Sequence, residues 1–318
     1  MSSLVFKFCS VAVSALAFGL VDCSGGQVLN GISEQRATSS SLVAPDAAKG
    51  TLFVTSSNVN EVGVFPESGK NQQQTGTLNG PCCQPQGVYV TNKGVVFIGD
   101  TNNDRILVYK KGSLDYFETL SDQGQPRELA GDTDGTVYAG NVNQETVAVY
   151  PPGASQPSKY LTVPKAQQVL GVAVDAKHNL YVSFDTQSGG YGTGRIVKYP
   201  GGSGKPRNLG IKLVSASGLA FDTAGNLIAC DSADSSPSQA ACYVFKPGTK
   251  SPLRTLTLPN GYPVGVALNK AGTKLFVGLN SYGAVEVFNY GNFKMIDKIT
   301  NGAAASPNSV AVFPPAPL

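Results

Sequence analysis

Residues 87–110 read GVYVTNKGVVFIGDTNNDRILVYK, and this stretch contains the pattern that decides the fold. It holds three short runs rich in valine, isoleucine and aromatic residues, separated by turns that carry Asn and Gly. Runs of this length and composition between such turns predict β-strands. The opening phrase GVYVT returns in five variants, which read ELAGD from Glu128, GVAVD from Gly171, GLAFD from Gly218, GVALN from Gly265 and SVAVF from Ser309.

Six copies of one phrase at a nearly constant spacing predict a repeat protein. Subtracting the start positions 87, 128, 171, 218, 265 and 309 gives spacings of 41, 43, 47, 47 and 44 residues. After each phrase except the last come a tight turn, a second β-rich run, a third run that ends in an aromatic residue, and a more polar fourth run. A period of this size indicates repeated supersecondary units, and four antiparallel strands per unit are typical of a propeller blade.

The two ends of the repeat region complement each other. The last phrase, at residues 309–313, has no second, third or fourth run after it. Residues 52–55, 62–65 and 75–78 supply those three runs at the other end. Joining the ends in one blade leaves no unpaired radial edge, which would otherwise promote aggregation. We therefore predict an all-β, six-bladed β-propeller over residues 50–318, closed by a C-terminal inner strand that joins the N-terminal blade.

The stretch from Val88 to Tyr109 resembles an NHL repeat. It has an apolar first strand, a second strand that ends in Asp, an Asn in the next loop, and an Arg-Ile pair that begins the third strand. GVAVDAKHNLYVSFD from Gly171 and GLAFDTAGNLIACDS from Gly218 are similar, and Arg195-Ile196 repeats the pair. The resemblance covers roughly residues 50–318 and implies a six-bladed propeller of the bacterial exported or lipoprotein type. It specifies the fold but not the activity, because propellers carry unrelated functions.

Residues that enter the predicted inner strands have the character of a binding site. They carry amide, guanidinium and phenol groups, and in this topology they gather at one mouth of the central channel. Such groups hydrogen-bond a peptide, a glycan or a small molecule. We therefore expect an exported, non-catalytic binding or scaffold propeller. The expected ligand-binding residues are Gln84, Gln86, Arg127, Gln168, Tyr262 and Asn308, together with Tyr191 on a glycine-rich loop over residues 185–194.

An enzymatic alternative stays open. The resemblance includes six-bladed gluconolactonase-like hydrolases that hold calcium with Glu, Asn and Asp, and amidating lyases that hold zinc with histidines. The chain has one histidine, His178, in a predicted turn away from the mouth, which excludes a histidine-rich zinc site. Asp100, Asp185 and Asp231 end second strands and would share a calcium in a divergent hydrolase or lyase. The preferred interpretation has no cofactor.

Four of the six cysteines lie within the predicted propeller. Cys230 and Cys242 bracket one loop between adjacent antiparallel strands, so we expect a disulfide there, with two buried free thiols as the alternative. Cys82 and Cys83 are neighbours in a connecting loop. Their Cα atoms lie about 3.8 Å apart across a trans peptide, shorter than a disulfide usually spans, so a strained bridge and two thiols both stay open.

The first 49 residues are expected to lie outside the fold. Residues 1–23 have a weakly basic start and an apolar stretch too short to cross a bilayer, which is typical of an export signal. Two processing sites are open: Ala15-Leu16-Ala17, and Cys23 as the acylated residue of a lipoprotein and hence a lipid anchor. Residues 24–49 are rich in Ser, Gly, Ala and Gln and predict a flexible linker. The expected location is extracytoplasmic: periplasmic, secreted or membrane-anchored.

Composition limits the partners. The net charge is +3 and no basic run occurs, which argues against nucleic acid as a ligand. The sum of 37 Gly and 20 Pro suits a turn-rich all-β chain. We expect a monomer that binds a protein, a peptide or a glycan.

Overall fold

The computed structural model describes residues 50–80, 84–187, 192–233, 239–259 and 261–317. The predicted export signal, the linker, Cys23, Cys82, Cys83 and Tyr191 lie outside the described residues. Within the described part of the chain, no helix combines the length and the apolar character needed to cross a membrane.

The described residues form six four-stranded antiparallel sheets, each of which is one blade. In every blade the innermost strand lines the central channel and the fourth strand lies at the outer edge. The first three blades comprise, from inside outward, β24 (Ser309–Phe313), β1 (Thr51–Ser56), β2 (Glu61–Pro66) and β3 (Gly76–Thr77) in blade 1; β4 (Pro85–Val90), β5 (Val96–Asp100), β6 (Arg105–Tyr109) and β7 (Tyr116–Ser121) in blade 2; and β8 (Pro126–Gly131), β9 (Val137–Asn141), β10 (Thr146–Tyr150) and β11 (Lys159–Thr162) in blade 3.

The other three blades follow the same plan. Short 3₁₀ turns occur at Thr101–Asn103, Pro200–Gly202 and Gly302–Ala305. The strands are β12 (Gln168–Val174), β13 (Leu180–Asp185), β14 (Gly194–Tyr199) and β15 (Arg207–Leu213) in blade 4; β16 (Ala216–Phe221), β17 (Leu227–Asp231), β18 (Ala241–Phe245) and β19 (Arg254–Thr257) in blade 5; and β20 (Pro263–Leu268), β21 (Lys274–Leu279), β22 (Ala284–Asn289) and β23 (Met295–Ile299) in blade 6.

The ring closes as the sequence predicts. Strand β24 pairs antiparallel with β1, from Thr51 opposite Phe313 to Thr55 opposite Ser309. The last strand of the chain is thus the inner strand of the first blade. The six-bladed all-β propeller and its closure are therefore confirmed.

The aromatic residue that ends the third strand connects neighbouring blades. Tyr109, Tyr150 and Tyr199 are almost fully buried. Their hydroxyls donate to main-chain carbonyls of the preceding blade, at Asn79, Ser121 and Thr162, over 2.8, 2.9 and 2.7 Å. A buried phenol requires such a partner, so each tyrosine contributes apolar burial and a contact between blades.

The polar fourth strands lie at the surface. Strand β11 is exposed or half-buried throughout, and Tyr116, Phe117, Met295 and Ile296 on β7 and β23 are among the exposed large apolar side chains. The inner three strands of each blade are mostly buried because neighbouring blades cover both of their faces. This difference explains why only the fourth run of each repeat is polar in the sequence.

Candidate functional site

One cavity on the axis of the ring receives residues from all six blades. The position directly before each repeated phrase contributes to it, once per blade. The cavity is about 50 Å³ in volume, enough for a few water molecules or the tip of one side chain. We call it the channel mouth; the residues at that position are Gln86, Arg127, Leu170, Ser217, Val264 and Asn308, and Glu128, Gln168, Asp185, Ser215, Ala216, Ser232 and Tyr262 complete the lining.

A bulge in the inner strands explains why these side chains reach the cavity. The register shifts between Pro85 and Val88 in β4, and between Pro126 and Glu128 in β8. Strands β12, β16 and β20 shift at the equivalent place. A bulge inserts an extra residue and redirects the side chains beside it. Consecutive residues such as Arg127 and Glu128 therefore both line the mouth.

Glycines at the start of the repeated phrases keep the channel narrow. A Cβ at Gly87 would lie 2.3 Å from the carbonyl oxygen of Arg127, and one at Gly265 would lie 2.7 Å from the Cα of Ser309. Neighbouring inner strands could not approach so closely with any side chain at these positions. The small volume of the mouth follows from this close approach.

Five of the seven predicted ligand-binding residues come together at the mouth: Gln86, Arg127, Gln168, Tyr262 and Asn308. Gln84 does not line the cavity. Its backbone has a positive φ of 63°, its side chain is exposed, and its N–H donates to Asn60 Oδ1 over 3.0 Å. Gln84 is thus the described member of the predicted set that does not line the cavity.

Glu128 is the one ionisable residue among the described lining residues that was not predicted from the sequence. Ser309 Oγ donates to Glu128 Oε2 over 3.1 Å. Burial raises the pKa of Glu128 to about 8, while the Ser309 hydrogen bond and the charge of Arg127 oppose that rise. A signal was present in the sequence: Glu128 occupies the position where four of the six phrases begin with Gly.

Arg127 and Asn308 present hydrogen-bond donors to the cavity. The Arg127 guanidinium makes no hydrogen bond or ion pair with any described residue, and it is the one basic side chain among the described lining residues. The Oδ1 of Asn308 accepts a hydrogen bond from the Ser57 N–H over 2.6 Å. This contact fixes the amide orientation, so the Asn308 Nδ2 remains to donate.

The three carboxylates predicted as calcium ligands hold neighbouring chain segments. Asp185 accepts hydrogen bonds from Ser215 Oγ and Ala216 N, both over 2.9 Å. Asp231 accepts from the N–H groups of Val214, Ser215 and Ala233 over 2.8, 2.9 and 3.1 Å. Asp100 accepts from Asn103 Nδ2 and Arg105 Nε over 2.9 and 2.7 Å.

These three carboxylates do not form one cluster. Within the described ranges, no three His, Cys, Asp or Glu side chains lie close enough together to hold a metal ion. Asp185 lines the mouth, but Asp100 and Asp231 do not. The contacts of Asp185 and Asp231 instead fix the segment at residues 214–216, which forms one wall of the mouth.

His178 and the cysteine pair lie where the sequence places them. His178 has a positive φ of 59° in the turn before β13 and bonds Asp132 Oδ1 through Nδ1 over 2.6 Å. Cys230 and Cys242 are opposite each other on β17 and β18 and form a disulfide, as predicted. Cys230 directly precedes Asp231 in the sequence, so the disulfide restrains the end of the strand that carries the Asp231 carboxylate. That carboxylate in turn holds the wall of the mouth.

Below the mouth the channel becomes apolar. The third residue of each phrase lines a second cavity of about 160 Å³, which the C-terminal residues Pro315 and Ala316 also line. A single bridge between Pro315 and Asn269 holds that end of the chain against β20. The ring of third residues consists of Tyr89, Ala130, Ala173, Ala220, Ala267 and Ala311. The polar groups of the channel are thus concentrated at one end.

Comparison with known proteins agrees with this architecture. Residues 83–109 match the NHL repeat family. No protein with a curated description is detectably similar in sequence. Among solved structures, a chain of a nidogen/laminin complex is similar with a TM-score of 0.69 and 17% identity, over 83% of this chain and 97% of that one.

Two further solved structures share the fold. A chain of the hydrazine synthase of Kuenenia stuttgartiensis aligns with a TM-score of 0.59 and 15% identity, over 88% of this chain and 93% of that one. The WD40 propeller domain of Doa1 aligns with a TM-score of 0.59 and 16% identity, over 84% of this chain and 82% of that one. At these identities the likeness concerns the fold alone. The chain is a six-bladed β-propeller that contains an NHL repeat at residues 83–109.

Proposed function

We propose that this chain is an exported, non-catalytic binding propeller that recognises a protein or peptide at the channel mouth. The observation that carries the proposal is the convergence of one residue from every blade, at the same position of the repeat, on a single polar cavity. Polar groups that converge in a concave site fix the orientation of a ligand and provide specificity.

The size of the mouth favours a protein or peptide as the ligand. A cavity of about 50 Å³ accepts the tip of one side chain or a chain terminus, but not a whole sugar ring. A partner that inserts one such group can rest the remainder of its surface on the surrounding loops. One of the similar chains of known structure comes from a nidogen/laminin complex, and this agrees with the proposal.

The disulfide supports export. Cys230 and Cys242 are both buried and bonded to each other. Disulfides persist in oxidising compartments and are rare in the cytosol. Together with the apolar N-terminal stretch of the sequence, this favours a location outside the cytoplasm. Mass spectrometry of the mature protein tests both points, through the N-terminal residue with any acyl group on Cys23, and through the mass difference on reduction.

The binding proposal is tested by selecting ligands for the purified propeller. Peptides displayed on phage are selected against the immobilised protein, and their affinities are measured by fluorescence polarisation. The double variant Arg127→Ala/Tyr262→Ala removes two side chains that line the mouth. We expect it to bind the selected peptides at least about tenfold more weakly, the loss that corresponds to about 1.4 kcal/mol.

The matched control removes the same two residue types from the outer edge of the propeller. Arg207→Ala/Tyr116→Ala removes an arginine and a tyrosine from β15 and β7, where both side chains are exposed. We expect this variant to keep full affinity, and thermal melting should show that both variants are folded. Peptides that bind the mouth variant as tightly as the wild type would place the binding site elsewhere.

A further inference from the structure

The donors at the channel mouth are better satisfied by one chemical group than by others. We propose that the group inserted by the partner is a carboxylate, held by the Arg127 guanidinium and the Asn308 side-chain amide. This inference rests on the proposed function and names the chemistry of its ligand. A carboxylate comes from an Asp or Glu side chain or from a C-terminus, and the experiment below distinguishes these sources.

The first support is that the charged group of Arg127 is available to a ligand. Its guanidinium lines the cavity without a hydrogen-bond or ion-pair partner in the described part of the chain. The other described arginines on inner or third strands are engaged: Arg105 bonds Asp100, and Arg195 bonds the carbonyl oxygens of Gly192 and Gly194. An unpaired guanidinium offers a fork of donors whose geometry matches a carboxylate.

The second support is the orientation of the uncharged groups. The Asn308 oxygen is occupied by the Ser57 N–H, which leaves the amide nitrogen to donate. The Ser217 hydroxyl lines the mouth, is buried and has no hydrogen-bond partner. A ligand rich in acceptors satisfies both groups, whereas an ammonium group, which only donates, satisfies neither the Asn308 nitrogen nor Arg127.

The third support concerns the acids at the mouth. Among the residues that the structure describes, Glu128 and Asp185 are the two carboxyl groups that line it, from β8 and β13. Asp185 accepts hydrogen bonds from Ser215 and Ala216, and Glu128 accepts from Ser309 on β24. Burial raises the pKa of Glu128 to about 8, so this carboxyl is largely protonated at neutral pH and does not repel an anion.

The same arrangement couples binding to protonation. An anionic group beside Glu128 favours its protonated form, so binding and proton uptake support each other. Affinity for a carboxylate should therefore fall as the pH rises through about 8. The groups that face Glu128 are Arg127 on the same strand, Ser309 on β24 and Asp185 across the mouth on β13.

The test uses small probes of matched shape and NMR of the folded propeller with labelled arginine side chains. N-acetyl-aspartate methylamide carries a side-chain carboxylate, and N-acetyl-asparagine methylamide is its neutral isostere. N-acetyl-alanine carries a terminal carboxylate, and N-acetyl-lysine methylamide carries an ammonium group. We expect one or both carboxylate probes to shift the Arg127 Nε–H resonance, with at least tenfold tighter binding than the neutral and cationic probes.

Three variants separate the contributions of the side chains. Arg127→Gln and Asn308→Asp should each reduce carboxylate binding at least tenfold; Asp at 308 still accepts from Ser57 but replaces the donor with an acceptor. Glu128→Gln should bind at pH 7 and lose the decline in affinity between pH 7 and 9. Arg207→Gln, on the exposed outer strand β15, is the matched control and should bind as the wild type does.

Each result bears on the proposal. Equal or tighter binding of the asparagine or lysine probe overturns it, and so does the absence of any shift with both carboxylates. Unchanged carboxylate affinity in Arg127→Gln also overturns it. The proposed binding function is tested separately, by the phage selection. Selected peptides that require Arg127 and Tyr262 would still locate a ligand at the mouth even if the carboxylate probes did not bind.

Discussion

Ser309 Oγ donates a hydrogen bond to Glu128 Oε2 over 3.1 Å, and this contact joins the last strand of the chain to the third blade. The inner strand of blade 2 lies between them in the ring and has Gly87 at the equivalent position. Ser309 also pairs with Thr55 in the closing blade, where its N–H donates to Thr55 Oγ1 over 2.9 Å. The strand that closes the ring therefore also orients the acid at the channel mouth.

Replacing Glu128 by Gln should change how stability depends on pH. The pKa of Glu128 is raised from 4.5 to about 8 in the folded protein, mainly by burial. A carboxyl with a raised folded pKa favours the native state fully below pH about 4.5, and this contribution is lost as the pH rises through about 8. We expect Glu128→Gln and wild type to differ little at pH 4, and the variant to be more stable at pH 9.

The shift in the pKa of Glu128 sets an upper limit on this difference in the free energy of unfolding. One unit corresponds to about 1.4 kcal/mol, and the side chain is partly open to the cavity, so we expect on the order of 1–4 kcal/mol. Urea unfolding of both proteins between pH 4 and 9 measures it. Parallel stability curves over this range would show that Glu128 is not desolvated in the folded protein.

Gly87→Ala should destabilise the protein because it forces two inner strands apart. The new Cβ would lie 2.3 Å from the Arg127 carbonyl oxygen and 2.9 Å from the Glu128 Cα, which are backbone atoms that cannot rotate away. Overpacking of this kind costs at least about 1–3 kcal/mol. Chemical denaturation measures the loss in the free energy of unfolding.

Gly76→Ala is the matched control for that substitution. Gly76 lies on the outer strand β3, and the nearest atom to its Cβ would be 3.6 Å away, an ordinary contact. We expect a change within about 1 kcal/mol, because alanine fits there and lowers the entropy of the unfolded chain. Equal losses in both variants would contradict the close approach of strands at Gly87.

The pair formed by His178 and Asp132 predicts a second pH effect, at the contact between blades 3 and 4. The hydrogen bond to the Asp132 carboxylate, and then the charge of that carboxylate, raise the pKa of His178 above the usual 6.5. A histidine with a raised folded pKa contributes stability that is present below pH about 6.5 and is lost as the pH rises through the folded pKa. The substitution Asp132→Asn should return the pKa of His178 toward 6.5.

NMR titration measures the pKa of His178 directly, because His178 is the one histidine in the sequence and its imidazole signals need no assignment. The comparison with Asp132→Asn also separates this effect from that of Glu128, whose pKa is raised to about 8. A midpoint at or below 6.5 in the wild type would show that the two side chains are not paired in solution.

Loss of the disulfide should lower stability. Cys230 and Cys242 are 12 residues apart, and closing a loop of that length restricts the unfolded chain by about 3 kcal/mol in the loop-entropy account. We expect Cys230→Ser/Cys242→Ser to lose up to that amount in urea unfolding. Wild type with a reducing agent should match the variant, and no response to the reducing agent would indicate that the bond is absent.

The sequence determined the architecture because each blade is a local unit. The order of phrase, turn, second run, aromatic-ended third run and polar fourth run is set by strand and turn chemistry within about 45 residues. The unmatched phrase at Ser309 and the three unmatched runs from Leu52 onward predicted the closure that the pairing of β24 with β1 confirms. Repetition also placed Gln86, Arg127 and Asn308 at one mouth, because equivalent positions of a ring face the same axis.

Only the tertiary structure decided what the mouth contains. The contact between Ser309 and Glu128 spans 181 residues, and the raised pKa of Glu128 follows from burial by strands of other blades. Likewise Asp185 and Asp231 look like metal ligands in the sequence, but the fold uses both to hold residues 214–216. Strand patterns depend on neighbours in the chain and can be read from it, whereas the partners and solvation of a side chain depend on residues that only the closed ring brings together.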